Sequence, residues 1–219
     1  MPASSQPADS ATAVARVAAS VRAGILSGAL APGVPLREEA AAAEYGVSRH
    51  TVRAAFQRLV VERLAVAEAY RGVRVASFDR PQVIALQQLR AALEVEAVRI
   101  AGERFGEVWP EEALAPAHAA LDRLEELASE AGEVDWLEVE RIHADFHRAL
   151  VEASASPRII ETHAALGSEL LLFLLHVRPH YTLESLIAEH RTLLDELPSR
   201  GGDAVREHLE HSTQLLLGG

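Results

Sequence analysis

The stretch Gly46-Val47-Ser48-Arg49-His50-Thr51-Val52-Arg53 decides how the first third of this chain is read. Ser48 is a strong N-cap residue, because its hydroxyl can accept from an unpaired amide of the first helical turn. Behind it Val52, Phe56, Leu59 and Val60 fall on one side at helical spacing, while Arg49, His50, Thr51 and Arg53 crowd the first turns on the other. A helix whose N-terminal end carries arginines and short hydrogen-bonding side chains suits entry, N-terminus first, into a DNA major groove. A solvated amphipathic helix that is basic at one end has the same pattern, so the flanking sequence must decide.

Upstream, Val14, Val17, Val21 and Ile25 predict a helix over 13–26, closed by Ser27-Gly28 and Pro32-Gly33. Residues 36–44 predict a short alanine-rich helix, and Tyr45-Gly46-Val47 is a tight turn into the helix from Ser48. That is a helix-turn-helix arrangement. Downstream, 63–66 and 72–75 read as short strands around a loop holding Arg71-Gly72, a wing with Arg71 within reach of a phosphate or the minor groove. Residues 1–12, rich in Ala, Ser and Pro, read as a flexible arm, so the DNA-binding domain spans 13–77.

Composition sets the outer limits. The 219 residues are 49% apolar and 24% charged, which describes a globular chain large enough for a real core. The absence of cysteine excludes disulfides, thiolate metal sites and a cysteine nucleophile. The N-terminus lacks the basic and apolar regions of a signal peptide, and the longest apolar run, 170–175, is too short for a bilayer. A cytoplasmic location without membrane association is expected. The net charge of −11 argues against nucleic acid until it is divided. Residues 1–78 hold 9 Arg against 6 acids, a net of +3, and the remainder carries −14. Every basic residue is arginine, the side chain best shaped for bidentate contact with phosphate or guanine. Such asymmetry signals two jobs, with the acidic part repelling DNA.

From residue 79 the pattern is helical throughout: about 81–105, 110–131, 134–153, 156–177, 182–197 and 204–217. The expected fold is therefore mainly α, a winged helix-turn-helix followed by an antiparallel six-helix bundle over 79–217. Ligand and metal sites in bundles are built between facing helices. His143 and His147, four apart, share a helix face, and His190 and His208 on two later helices can converge with them. Imidazoles from three helices suit a divalent transition metal, Zn or Ni above others.

Two resemblances follow from these residues. Ile25…Gly28…Leu30, Pro32-Gly33, Leu36-Arg37-Glu38, Gly46-Val47-Ser48-Arg49, Val52-Arg53, Leu59 and Arg71-Gly72-Val73…Val75 make residues 22–76 resemble the winged helix-turn-helix of the GntR family of transcription regulators. The resemblance implies DNA contacts at Arg37, Arg49, Thr51, Arg53, Arg71 and Gly72, with His50 where the residue varies with operator sequence. Ala54 and Arg63 depart from it, standing where glutamate and glycine are usual. Residues 79–216 resemble the FadR-type C-terminal domain, FCD, through Leu89-Arg90…Leu93-Glu94, Phe146-His147-Arg148-Ala149-Leu150, Ser154-Ala155-Ser156-Pro157-Arg158, Glu189-His190-Arg191 and His208-Leu209. That likeness implies a metal held by positions 143, 147, 190 and 208.

Position 143 is His where the family has Asp, and Asp145 lies roughly 200° around the helix from His147, so it cannot stand in. Either the site is all-imidazole or position 143 does not ligate. The interval from His190 to His208 is short for the family, making His211 a fallback. The resemblance puts Arg90 near an effector cavity, where a guanidinium can clamp a small carboxylate; a surface pair with Glu94 is the alternative. Arg141, His163 and His180 are further polar candidates, and Glu111-Glu112, Glu125-Glu126 and 138–140 read as solvated faces.

The expected function is a homodimeric, operator-binding transcriptional regulator, a repressor, tuned by a small carboxylate at a metal site. The alternative is a metal-dependent hydrolase or a ligand-binding bundle without regulatory DNA binding. Against an enzyme stands Ala144, where a zinc-protease helix needs a glutamate, and the lack of a nucleophile elbow or phosphate loop.

Overall fold

A computed structural model describes residues 7–106, 108–177 and 182–217. The chain divides into two compact units between Ser77 and Phe78.

In the first unit, α1 (Pro7–Leu26) is followed by β1 (Pro35–Leu36), α2 (Glu38–Tyr45), α3 (Arg49–Val61), β2 (Ala65–Glu68) and β3 (Gly72–Val75). Helix α1 begins six residues before the Ala13 expected, with proline at a position where its missing N–H is harmless; residues 1–6 lie outside the described residues. Val17, Val21 and Ile25 of α1 are buried with Val52, Phe56 and Leu59 of α3, forming the unit's core. Gly46 ends α2 in the left-handed conformation at φ 63°, and the Ser48 hydroxyl then accepts from the Thr51 amide at 3.1 Å to start α3. The strands form one antiparallel sheet in the order β1-β3-β2, with Leu36 opposite Val73 and Ala65 opposite Val75. Strand β2 starts two residues later than expected because Arg63 and Leu64 turn the chain out of α3. Arg63 itself takes φ 57°, the left-handed cap that glycine would otherwise fill.

In the second unit the helices are α4 (Arg80–Phe105), α5 (Glu111–Ser129), α6 (Trp136–Glu152), α7 (Pro157–Ala165), α8 (Gly167–Val177), α9 (Leu183–Arg200) and α10 (Gly202–Leu217). A capping box of Asp79 and Gln82 starts α4, Asp135 caps α6, and Thr182 with Ser185 caps α9. The fourth expected helix is two: the chain breaks at Leu166, beside the weak helix former Gly167, so among the described residues seven helical segments stand where six were expected. Pro110 is the N-cap of α5 rather than its first residue, and α10 starts at Gly202 rather than Ala204. Val98, Leu121, Leu124, Phe146, Leu150 and Leu197 interlock as the core. A smaller cluster of Leu86, Leu166, Leu170, Phe173 and Leu174 takes in half of the apolar run over 170–175. The helices α4, α6, α7, α9 and α10 each also bury polar residues, Arg90, Glu94, His143, His163, His190 and Ser212 among them.

Candidate DNA interface and metal centre

In the first unit the N-terminal half of α3 carries Arg49, His50 and Arg53 outward, and Arg37 is exposed just before α2. Between α2 and the wing lies an open groove of about 670 Å³ whose wall includes Arg37, Arg49, Arg71, Gly72 and Arg74. Gly72 takes φ 83° at the start of β3, a conformation that side chains rarely adopt. Arg49 and Arg53 keep side-chain exposures of 63% and 61%. Six of the seven expected contacts therefore share the exposed surface of this unit. Thr51 does not: it is 8% exposed and its hydroxyl lies 2.9 Å from the Ser48 hydroxyl. Its position, i+3 from the cap, turns it inward, so it shapes the turn instead of facing outward. Two features escaped the sequence reading. Glu38 accepts from Arg53 Nε at 2.8 Å and Nη2 at 2.7 Å, which holds its carboxyl below the ordinary range. Tyr70, fully exposed at the wing tip, takes φ 65°.

In the second unit α6 brings His143 and His147 to one face, and α9 places His190 opposite. Their Nε2 atoms converge: His143 to His190 is 2.8 Å, His147 to His190 is 3.0 Å, and His143 to His147 is 3.1 Å. All three rings are at least 95% buried. The outer nitrogens face acceptors. His190 Nδ1 donates to the Leu186 carbonyl at 2.7 Å, and His147 Nδ1 donates to Glu94 Oε2 at 2.9 Å. His143 Nδ1 meets Glu140 Oε2 at the longer distance of 3.4 Å. Because a carbonyl and a carboxylate can only accept, those Nδ1 atoms carry the hydrogens, and the Nε2 lone pairs all face one another. Burial lowers each ring's pKa, that of His147 to about 3, so protonation does not relieve the repulsion. A cation at the centre does, and buried neutral imidazoles with fixed tautomers are the donor set of a borderline divalent metal.

His208 is the fourth expected ligand. Its ring packs on His190, with centroids 4.5 Å apart, and on His147 at 5.4 Å, but the converging nitrogens are those of His143, His147 and His190. His211 is not a substitute; its side chain is 54% exposed and lies 3.7 Å from Glu189. Asp145 pairs outward with Arg148 and Arg123, on the far side of the helix as its spacing required.

The alternative for Arg90 is a surface pair with Glu94; the two do pair, at 2.6 Å, but inside the unit. Glu94 is fully buried and also accepts from His163 Nε2 at 3.1 Å. Burial pushes its carboxyl up, but Arg90 and His147, together with the two histidine hydrogen bonds, outweigh that and hold it well below the usual range. The Glu94 bond uses Arg90 Nε; among the described residues no acceptor meets the two terminal nitrogens. Arg90 lines a cavity of about 110 Å³ with His147, Arg148, His163 and Gly167. Glu140, expected on a solvated face, is 4% exposed and stands beside His143. Arg141 points away, to Glu138, and His180 lies outside the described residues.

Comparison with known proteins follows the same division. The model of the gntR family of bacterial regulatory proteins matches residues 13–75, and that of the FCD domain matches 85–214. The chain is 30% identical over 200 residues to the HTH-type transcriptional repressor GlaR of Escherichia coli K12, covering 84% of this chain and 87% of that protein. It is 26% identical over 196 residues to the Nta operon transcriptional regulator of Aminobacter aminovorans, covering 85% and 88%. Among solved structures, a GntR protein from Rhodococcus sp. RHA1 superposes with a TM-score of 0.76 at 28% identity, covering 94% of this chain and 98% of that one.

Proposed function

This chain belongs to the gntR family of bacterial regulatory proteins and carries an FCD domain behind its DNA-binding unit, and from that premise we propose how it reads DNA and what it senses. It is a DNA-binding transcriptional regulator, and its family and named relatives are regulators, not enzymes. The reading is that α3 enters the major groove of an operator, with Arg49, His50 and Arg53 toward base edges and Arg37, Arg71 and Gly72 toward the backbone. The regulator acts as a repressor and as a homodimer, each copy taking one half-site, and works in the cytoplasm.

The second unit is the sensor. His143, His147 and His190 hold a divalent metal, Zn or Ni, with His208 beside them. The observation that carries this is the convergence of three buried Nε2 atoms whose Nδ1 partners fix the lone pairs inward. A bound ion supplies a positive anchor for an anionic ligand. Arg90 provides the matching clamp: it lines the cavity while Glu94 holds its Nε side. A cavity of about 110 Å³ suits a small carboxylate of a few heavy atoms. Effector occupancy then biases the placement of the paired DNA readers and so their fit to half-sites about one helical turn apart.

The division of labour is tested by two variants. Arg53→Ala weakens operator binding and leaves metal and carboxylate binding intact. His147→Ala removes metal and carboxylate binding and leaves operator binding in the absence of effector. If one substitution abolishes both in a protein that still melts cooperatively, the two-module reading fails.

A further inference from the structure

The first turn of α2 sets a carboxylate against the helix that reads DNA. Arg49 and Arg53, four residues apart, share a face of α3, and Glu38 faces both: bidentate to Arg53 at 2.8 and 2.7 Å, and 3.9 Å from Arg49. An acid on a surface that meets phosphates opposes binding, so its place beside two exposed arginines asks for a reason. The guanidinium geometry supplies one. Its five N–H groups lie in one plane, and Glu38 engages the side-on pair, Nε and one hydrogen of Nη2. Among the described residues no acceptor meets the end-on pair, from Nη1 and the second Nη2 hydrogen, and it points away from the carboxylate. That edge matches O6 and N7 of a guanine, the commonest specific arginine contact in the major groove.

We propose that Glu38 is a positioning residue for base recognition: it buttresses Arg53 side-on so that the end-on edge reads a guanine, while weakening attraction to DNA of any sequence. An unbuttressed arginine at 61% exposure would swing among rotamers and settle on phosphates as readily as on bases. With the carboxylate in place the guanidinium is oriented before DNA arrives, and the nearby negative charge offsets part of its attraction to phosphates. The inference rests on α3 entering the major groove, as proposed above.

The test uses the full-length protein, a duplex selected by it from a random-sequence pool, and a scrambled duplex of equal length, with affinities measured across a salt series. Glu38→Ala lowers the ratio of selected to scrambled affinity about tenfold, the scale of one bidentate base contact. Binding to the scrambled duplex holds or rises, with a salt dependence steeper by up to about one released counterion. Glu38→Gln, which still offers one amide oxygen, falls between the two. In an Arg53→Ala background, Glu38→Ala no longer changes the ratio. Equal strengthening toward both duplexes, or an unchanged ratio for Glu38→Ala, overturns the proposal. If Arg53→Ala alone keeps the wild-type ratio, the placement of α3 fails and the buttress falls with it.

Discussion

Glu94 shows what a single side chain can do when it is fully enclosed. A buried carboxylate survives as a charge only if paired and hydrogen-bonded, and Arg90, His147 and His163 meet that need from three helices. The same contacts fix the His147 tautomer, so Glu94 orients at once a proposed metal ligand and the proposed carboxylate clamp. Glu94→Gln, which keeps the shape and loses the charge, should weaken metal affinity roughly 10- to 100-fold by competition titration; unchanged affinity would detach Glu94 from the site. The sequence showed Arg90 and Glu94 as neighbours on a helix, and no more. That the pair is buried depends on α6 and α7 closing over it, which no local spacing encodes. Thr51 carries the same lesson in reverse: the motif pointed outward, but the hydroxyl sits against the Ser48 cap.

Helix ends account for most of the differences at the next scale. Periodicity made α3 and the bundle helices plain, because their apolar residues recur every three to four positions. It could not show β1, whose two residues are too few to alternate, nor the break before α8, which lies inside a leucine-rich run. The end of α3 was legible as a problem: glycine is usual there and Arg63 is present. The structure answers with a left-handed arginine at φ 57°. That conformation costs an L-residue about 1–2 kcal/mol, partly offset by the lower backbone entropy of a non-glycine in the unfolded chain. Arg63→Gly should therefore stabilise the DNA-binding unit by roughly 1 kcal/mol, raising its melting midpoint by a few degrees. A lowered midpoint would mean that the arginine's own contacts outweigh the strain.

Across the whole chain, charge and histidine content pointed to DNA binding and to the sensing role proposed above, and the chemistry of the histidine cluster is visible in its titration. His143, His147 and His190 are neutral when folded because burial lowers their pKa, that of His147 from 6.5 to about 3. As pH falls below about 6.5 the unfolded chain binds protons first, so stability present above that pH is lost progressively on the way down. Chelator-treated protein should thus show a falling melting midpoint for the second unit between pH 7 and pH 5; a flat profile would mean that the imidazoles are not held as described. The proposed ligand set was legible as a list of four histidines, but which nitrogens meet depends on helix rotation, and the structure gathers three while His208 packs on the rings of His147 and His190. The measurement closest to the centre of this account is elemental analysis of protein purified without chelator, beside His147→Ala. The account predicts a single transition-metal ion per wild-type chain and its loss from the variant. A wild-type protein that neither carries nor takes up such an ion, or a variant that keeps it, contradicts it.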